Sequence, residues 1–202
     1  SEMCIRDSVK RYNLHELHSY VWAYNDELKA IDIPVEDNVK LANATNPNIE
    51  TLRNSIVPTQ LCQIKSNLSF SNDFGIFEIG RVVNGLDENG LCIENKKLAI
   101  TLYSKTRNVK DIYFELRDIL AVVTDEIKHK ALTFEKAEPT HSYEHPVNLY
   151  SVCLDGRNIG TIGIVHPTVS KKIDKKAAIV FAEIDVNAVS YTHLTLPTIY
   201  SV

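Results

Sequence analysis

The stretch VKDIYFELRDILAVVTDEI, residues 109–127, constrains the fold of this chain more than any other. Ile112, Leu116, Ile119, Leu120, Val123 and Ile127 recur at three- and four-residue steps and line one helix face. Asp111, Glu115, Arg117 and Asp118 lie mostly off that face. So broad an apolar stripe has to be covered, and the neighbouring segments can cover it. KLAITLYS (97–104) reads as a strand before the helix. After it, VNLYSVCL (147–154), the turn Asp155-Gly156-Arg157-Asn158 and IGTIGIV (159–165) read as a hairpin, and AAIVFAEIDV (177–186) as a buried strand. Strands joined by hairpins, with two longer helices inserted, predict an α+β domain around a mostly antiparallel sheet.

The second long helix is expected in SIVPTQLCQIKSNLSF (55–70), where Val57, Leu61, Ile64 and Leu68 form one stripe. Ser55 can cap its start, and Pro58 is tolerated in a first turn whose N–H groups have no intrahelical partner. HSYVWAY (18–24) reads as a strand, NDELKAIDI (25–33) as a short helix stopped by Pro34, and NVKLANAT (38–45) as alternating chain running into the Asn46-Pro47 turn. HPTVSKKI (166–173) reads as a short helix opened by Pro167. In FEIGRVVN (77–84), Phe77, Ile79, Arg81 and Val83 fall on one face of a strand, and Glu78, Gly80, Val82 and Asn84 on the other. NGLDENG (84–90) reads as the turn that follows.

Several functions are disfavoured by composition. A net charge of −4 with short basic clusters, Lys171-Lys172 and Lys175-Lys176, opposes nucleic-acid binding by bulk positive charge. No apolar run approaches the ~20 residues that span a bilayer. Cys4, Cys62, Cys92 and Cys153 lie far apart with no CxxC pair, which fits reduced, mostly buried thiols in a cytoplasmic protein. His15 with His18, and His141 with His145, have helical spacing, but no Cys or carboxylate cluster completes a zinc set, so they read as structural or surface groups. His166 reads as a strand-to-helix junction. The glycines are isolated, and no phosphate-cradling loop is visible. Glu78 and Glu183 could be paired as catalytic carboxylates, yet nothing distinguishes them from ordinary strand residues.

Five ordered blocks carry more than these single motifs: LRNSIVP (52–58), FEIGRV (77–82), DIYFELRDIL (111–120), GRNIGTIGIVHPTVSKKI (156–173) and VFAEIDVNA (180–188). Together they resemble the central, catalytic-like domain of the phenylalanyl-tRNA synthetase β subunits, over about residues 12–188. That resemblance implies a class II aminoacyl-tRNA synthetase fold, cytoplasmic, in a β subunit paired with a catalytic α subunit, two of each. The whole enzyme would join phenylalanine to tRNA(Phe) with ATP and magnesium. It implies no catalytic, cofactor or metal residue in this segment.

The comparison extends to the α subunit's own pattern, Leu-Arg-Thr-His-Thr-Ser-Pro and then Gly-Arg-Val-Tyr-Arg. Leu52, Arg53 and Pro58 match the first block, and Gly80, Arg81 and Val82 the second. Asn84 stands where the α pattern has its phosphate-gripping Arg, and a neutral amide does not replace that charged fork. HPVNL (145–149) departs from the β pattern of His-Pro-Gly followed by a basic residue. The resemblance places Arg53, Pro58, Leu61 and Arg81 nearest the α contact. Arg81 is expected to meet a carboxylate or carbonyl there, or else Glu78 or Asp87 of its own chain.

The alternatives are a free-standing class II-like binding module and a catalytic class II fragment with its own ATP site. SEMCIRDS (1–8) and VSYTHLTLPTIYSV (189–202) resemble translated sequencing-adapter segments. They are set aside with Cys4 and His193, leaving 9–188 as the expected domain, an interior piece of a longer protein.

Overall fold

A computed structural model describes residues 2–190. The chain runs α1 (Glu2–Lys10), β1 (His15–Glu16), β2 (Trp22–Ala23), α2 (Asn25–Lys29) and β3 (Val39–Lys40), then a 3-10 turn (Pro47–Ile49) and β4 (Thr51–Leu52). Then come α3 (Val57–Ser66), β5 (Asp73–Leu86), β6 (Cys92–Ser104), α4 (Val109–Lys128), β7 (Leu132–Lys136) and β8 (Glu144–Leu154). The last elements are β9 (Arg157–Val165), α5 (Pro167–Ile173), β10 (Ala178–Asp185) and α6 (Val186–Val189). Seven strands form one sheet in the order β1-β5-β6-β10-β9-β8-β7, and β2-β4-β3 form a small second sheet. Among the described residues of the large sheet only the β1–β5 pair is parallel.

The central strands are apolar on both faces because helices cover both. Leu98, Ile100 and Leu102 of β6 and Val180, Ala182 and Ile184 of β10 face α4, whose Leu116, Ile119, Leu120 and Val123 are buried against them. The alternate residues Ala99, Tyr103, Ile179 and Phe181 face α3, where Val57, Leu61 and Ile64 are buried. Local chemistry marks the helix ends. The Asn108 side chain accepts from Lys110 N at the start of α4, and His129 closes it in the left-handed conformation, with φ 53°. The β8–β9 hairpin turns on Asp155 and Gly156 alone, both at positive φ, the geometry that favours Asp-Gly.

The departures from the sequence expectations have physical causes. Only Trp22–Ala23 of 18–24 and Val39–Lys40 of 38–45 pair as strands; Ser19 N donates to the Glu78 carboxylate rather than to a strand neighbour, and a 3-10 turn follows the second segment. In that turn Asn46 Oδ1 accepts from Asn48 N at 2.9 Å. β7, unassigned from sequence, pairs with β8 through Leu132–Lys136 at the sheet edge. Residues 2–8, set aside above, belong to α1, whose Ile5, Ser8 and Val9 are buried at helical spacing and pack toward α4. Of the segment 189–202, residues 191–202, including His193, lie outside the described residues.

β9 and β10 approach closely at Gly160, where an added Cβ would fall on the carbonyl oxygen of Glu183. Gly160→Ala should therefore destabilise the chain by ~1–3 kcal/mol or more, as overpacking does. Urea unfolding followed by circular dichroism reads that loss, and an unchanged midpoint would contradict the close approach.

Candidate functional site

Two networks of buried polar groups lie under the α3 face of the large sheet. Arg53 follows β4, where its backbone links both sheets: its N–H donates to Val21 O at 2.8 Å and its carbonyl accepts from Val83 N at 2.9 Å. The side chain then turns inward to 3 % exposure. Its Nε donates to Arg81 O at 3.0 Å, Nη1 to Ser19 Oγ at 2.6 Å and Nη2 to Glu78 Oε1 at 2.9 Å. Glu78 is 2 % exposed and also accepts from the Ser19 hydroxyl at 2.8 Å. Gly80 makes room for this pair, since a Cβ there would strike Arg53 Nη2 and Glu78 Oε1.

A second buried network sits at the start of α3. Glu183 Oε2 accepts from Ile56 N at 2.7 Å and from Ser55 Oγ at 3.1 Å, and Ser55 Oγ lies 2.8 Å from Tyr143 Oη. Burial raises the Glu183 pKa above the ordinary carboxylate value, although the Ile56 N–H and Ser55 hydroxyl favour its charge. Burial, and then the neighbouring Glu183 and Glu144, push the Tyr143 phenol well above its usual value. Beside them, Glu144 Oε1 accepts from Thr140 N at 3.0 Å, from His141 N at 2.6 Å and faces His141 Nδ1 at 3.2 Å. Burial opposes both charges of this pair. The mutual hydrogen bond and attraction outweigh it, so His141 titrates above and Glu144 below its ordinary value.

Between these networks lies a cavity of about 140 Å³, walled by Arg53, Ser55, Pro58, His141 and Tyr143. It is smaller than the roughly 300–1,000 Å³ of ordinary ligand pockets. A hollow of about 340 Å³ lies at Arg81, but there Arg81 pairs with Glu94 at 3.0 Å and Lys96 with Glu2 at 2.9 Å. A phosphate entering it would meet cations that already have carboxylate partners.

The four residues assigned to one contact differ in exposure. Arg53 and Leu61 are buried, Pro58 is half-buried at the cavity wall, and Arg81 is exposed. Arg81 meets neither Glu78 nor Asp87: Arg53 occupies Glu78, and Asp87 Oδ1 accepts from Asn89 N and Leu91 N in the hairpin turn. By register Arg81 stands opposite Lys96, a like charge, and leans diagonally to Glu94 beside Val83. Asn84 is exposed near the end of β5.

Among the described residues no group of three or more His, Cys, Asp or Glu could hold a metal ion. The histidine pairs separate into local roles. His15 stacks edge-on to Phe70, His145 Nδ1 accepts from Val147 N and Asn148 N, and His166 Nδ1 caps α5 by accepting from Thr168 N. Burial pushes the Cys62 thiol up to about 12, which removes it as a nucleophile, and Cys153 is buried as well. The networks around Glu78 and Glu183 were missed from sequence. Their one local sign is a carboxylate between apolar neighbours in a strand buried on both faces.

The nearly antiparallel sheet with helices on both faces is the class II aminoacyl-tRNA synthetase fold. The pyrrolysyl tRNA synthetase of Desulfitobacterium hafniense superposes with a TM-score of 0.71, covering 93% of this chain and 64% of that one, at 12% identity. Within that fold class, residues 2–186 match the family model for the phenylalanyl tRNA synthetase beta chain CLM domain, and the chain belongs to that family. Among its relatives are phenylalanine–tRNA ligase beta subunits. That of Pyrococcus horikoshii is 27% identical, covering 91% of this chain and 32% of the relative. The Bacillus subtilis subunit is also 27% identical, covering 89% and 23%. The one from Neisseria meningitidis serogroup B is 29% identical, covering 83% and 22%. The chain thus spans a third or less of these relatives' length.

Breaking the buried Arg53–Glu78 pair from one side, as in Arg53→Met, should cost ~3–5 kcal/mol, because Glu78 is left charged and unpaired. Adding Glu78→Leu should recover most of that loss. A urea-denaturation double-mutant cycle measures both, and additive losses would refute the pairing. For His141 and Glu144, the raised histidine stabilises most below the ordinary pH 6.5, and this fades as pH rises through its folded value. The depressed Glu144 stabilises above pH 4.5, and this fades as pH falls through its folded value. The stability difference between wild type and His141→Gln should therefore peak between pH 4.5 and 6.5. Urea midpoints collected across pH 3–9 (roughly the range in which both groups titrate) test this, and a flat difference would contradict it.

Proposed function

We propose that this domain is a non-catalytic scaffold of phenylalanine–tRNA ligase that supports the catalytic α subunit within an α2β2 enzyme of the cytoplasm. The α subunit would carry ATP and magnesium and attach phenylalanine to tRNA(Phe). The observation that carries this proposal is the inward turn of the chain's own polar groups. Arg53, matched to the Leu-Arg of the α pattern, directs all three guanidinium nitrogens to Ser19, Glu78 and the Arg81 carbonyl. Glu183, Ser55 and Tyr143 satisfy one another. With Asn84 where the α pattern has Arg, these groups are committed to holding the fold and none is poised over a reacting phosphate. Pro58 and Arg81 would supply the surface of the α contact, with Arg53 and Leu61 supporting it from beneath.

In the full-length β subunit, Arg81→Ala should weaken α binding by about tenfold, which corresponds to ~1.4 kcal/mol. Surface plasmon resonance with immobilised α subunit would measure it, alongside the aminoacylation rate. Unchanged binding together with an unchanged rate would defeat the proposed contact. Titration calorimetry of this chain with magnesium-ATP should give no saturable heat at micromolar concentrations. Saturable heat there would instead favour an ATP-using class II domain.

A further inference from the structure

A second surface lies on the small sheet. His18, Tyr20, Trp22 and Tyr24 are spaced two residues apart, while Ser19 and Ala23 between them turn inward, Ser19 to Glu78 and Ala23 to the core. Tyr20 is 63% and Tyr24 37% exposed. Their rings form a continuous row: Tyr20 stacks on Trp22 with centroids 4.5 Å apart and an 11° interplanar angle, and Trp22 Nε1 donates to Tyr24 Oη at 3.3 Å. The register carries this row across the sheet from Trp22 to Leu52 and Val39, both half-buried. Leu41, just beyond β3, is 41% exposed.

Charge decides what can cover this face. Residues 15–54 contain seven acidic groups (Glu16, Asp26, Glu27, Asp32, Glu36, Asp37 and Glu50) and three basic ones (Lys29, Lys40 and Arg53). That is 3 − 7 = −4, and the rest of the chain balances at 22 − 3 = 19 basic and 26 − 7 = 19 acidic residues. The formal net charge of the protein therefore lies in the segment that carries the aromatic row; Arg6 and Lys10 hold Glu16 and Lys172 faces Asp32 from outside it, while Asp26, Glu27, Glu36 and Asp37 make no salt bridge among the described residues. One of its three cations, Arg53, is buried against Glu78. Aromatic faces attract cations, and Tyr and Trp dominate the energetically important centres of protein contacts. The cation–π contacts among the described residues, Arg117 on Phe134 and Lys136 on Tyr150, lie elsewhere.

We propose that the Tyr20–Trp22–Tyr24 row docks an arginine- or lysine-bearing peptide segment of a protein partner. A guanidinium or ammonium lies over the ring faces, and the unbridged carboxylates of the same segment, Asp26, Glu27, Glu36 and Asp37, supply the complementary field. Nucleic acid could stack bases on the same rings, but its phosphates would enter a region of excess negative charge. This inference goes beyond the scaffold function and rests on residues 15–54 alone, so its test needs no α subunit.

Trp22 is the only tryptophan of the chain, so its emission reports on the row directly. A peptide of repeated Arg-Pro-Leu units, kept extended by its prolines, is titrated into the whole chain. A Glu-Pro-Leu peptide and oligouridylate are titrated in parallel. The arginine peptide should shift Trp22 emission saturably, and Tyr20→Ser, which leaves every charge in place, should raise its Kd about tenfold. Circular dichroism and the urea midpoint confirm that the variant is folded. Absence of a saturable shift, equal affinity in Tyr20→Ser, or tighter binding of either the glutamate peptide or oligouridylate would overturn the proposal.

Discussion

The buried ion pair between Arg53 and Glu78 joins the two parts of this protein. Arg53 leaves the small sheet, and its side chain reaches Glu78 and the Arg81 carbonyl on β5 of the large one. Side-chain exposures of 4% and 2% mean that neither charge can return to water without the other. A buried pair of this kind adds little net stability compared with well-packed apolar groups. It does dictate arrangement: moving the small sheet by one residue would strand a carboxylate in the core. Ser19 completes the tie by contacting both partners, so the segment before β2 is held by the same interaction.

The second network extends this logic to the N-terminus of α3. Glu183 comes from β10, Ser55 from the turn before α3 and Tyr143 from the segment before β8. A carboxylate at the N-terminus of α3 accepts one of the N–H groups that the helix cannot satisfy itself. The two networks leave a cavity of only about 140 Å³ between them. These groups are turned to internal support, and other polar and aromatic groups lie exposed at the edges. There the small sheet presents aromatic rings in an acidic field, and β5 presents Arg81 against Glu94.

How legible this was in the sequence follows from the distance over which each pattern acts. The stripe of α4 lies in one short window, and its periodicity announced both the helix and the face that β6 and β10 cover. Asp155-Gly156 announced a hairpin because positive φ is a property of two adjacent residues. The strands of the small sheet were overestimated: the Ser19 backbone is tied to the distant Glu78 carboxylate, and the second segment runs into the Asn46–Asn48 turn. The partners offered for Arg81 within the chain, Glu78 and Asp87, are not the ones it meets, because its neighbour depends on hairpin register: Glu94 is thirteen residues away, diagonal across β5 and β6. Arg53 and Leu61, expected nearest the α contact, are both buried.

The amino-acid sequence by itself determined the α+β class, the main helices, the central strands and hairpins, and, through five ordered blocks, the family. These are properties of local periodicity, turn chemistry and the order of segments. Only the tertiary structure decided which polar groups meet. Ser55 and Glu183 are 128 residues apart, and Arg53 and Glu78 are 25 apart. Whether a carboxylate is a solvated strand residue or half of a buried pair depends on what the fold packs against it. That environment, with its desolvation and its partners, is created by the assembled layers and is absent from any single stretch of chain.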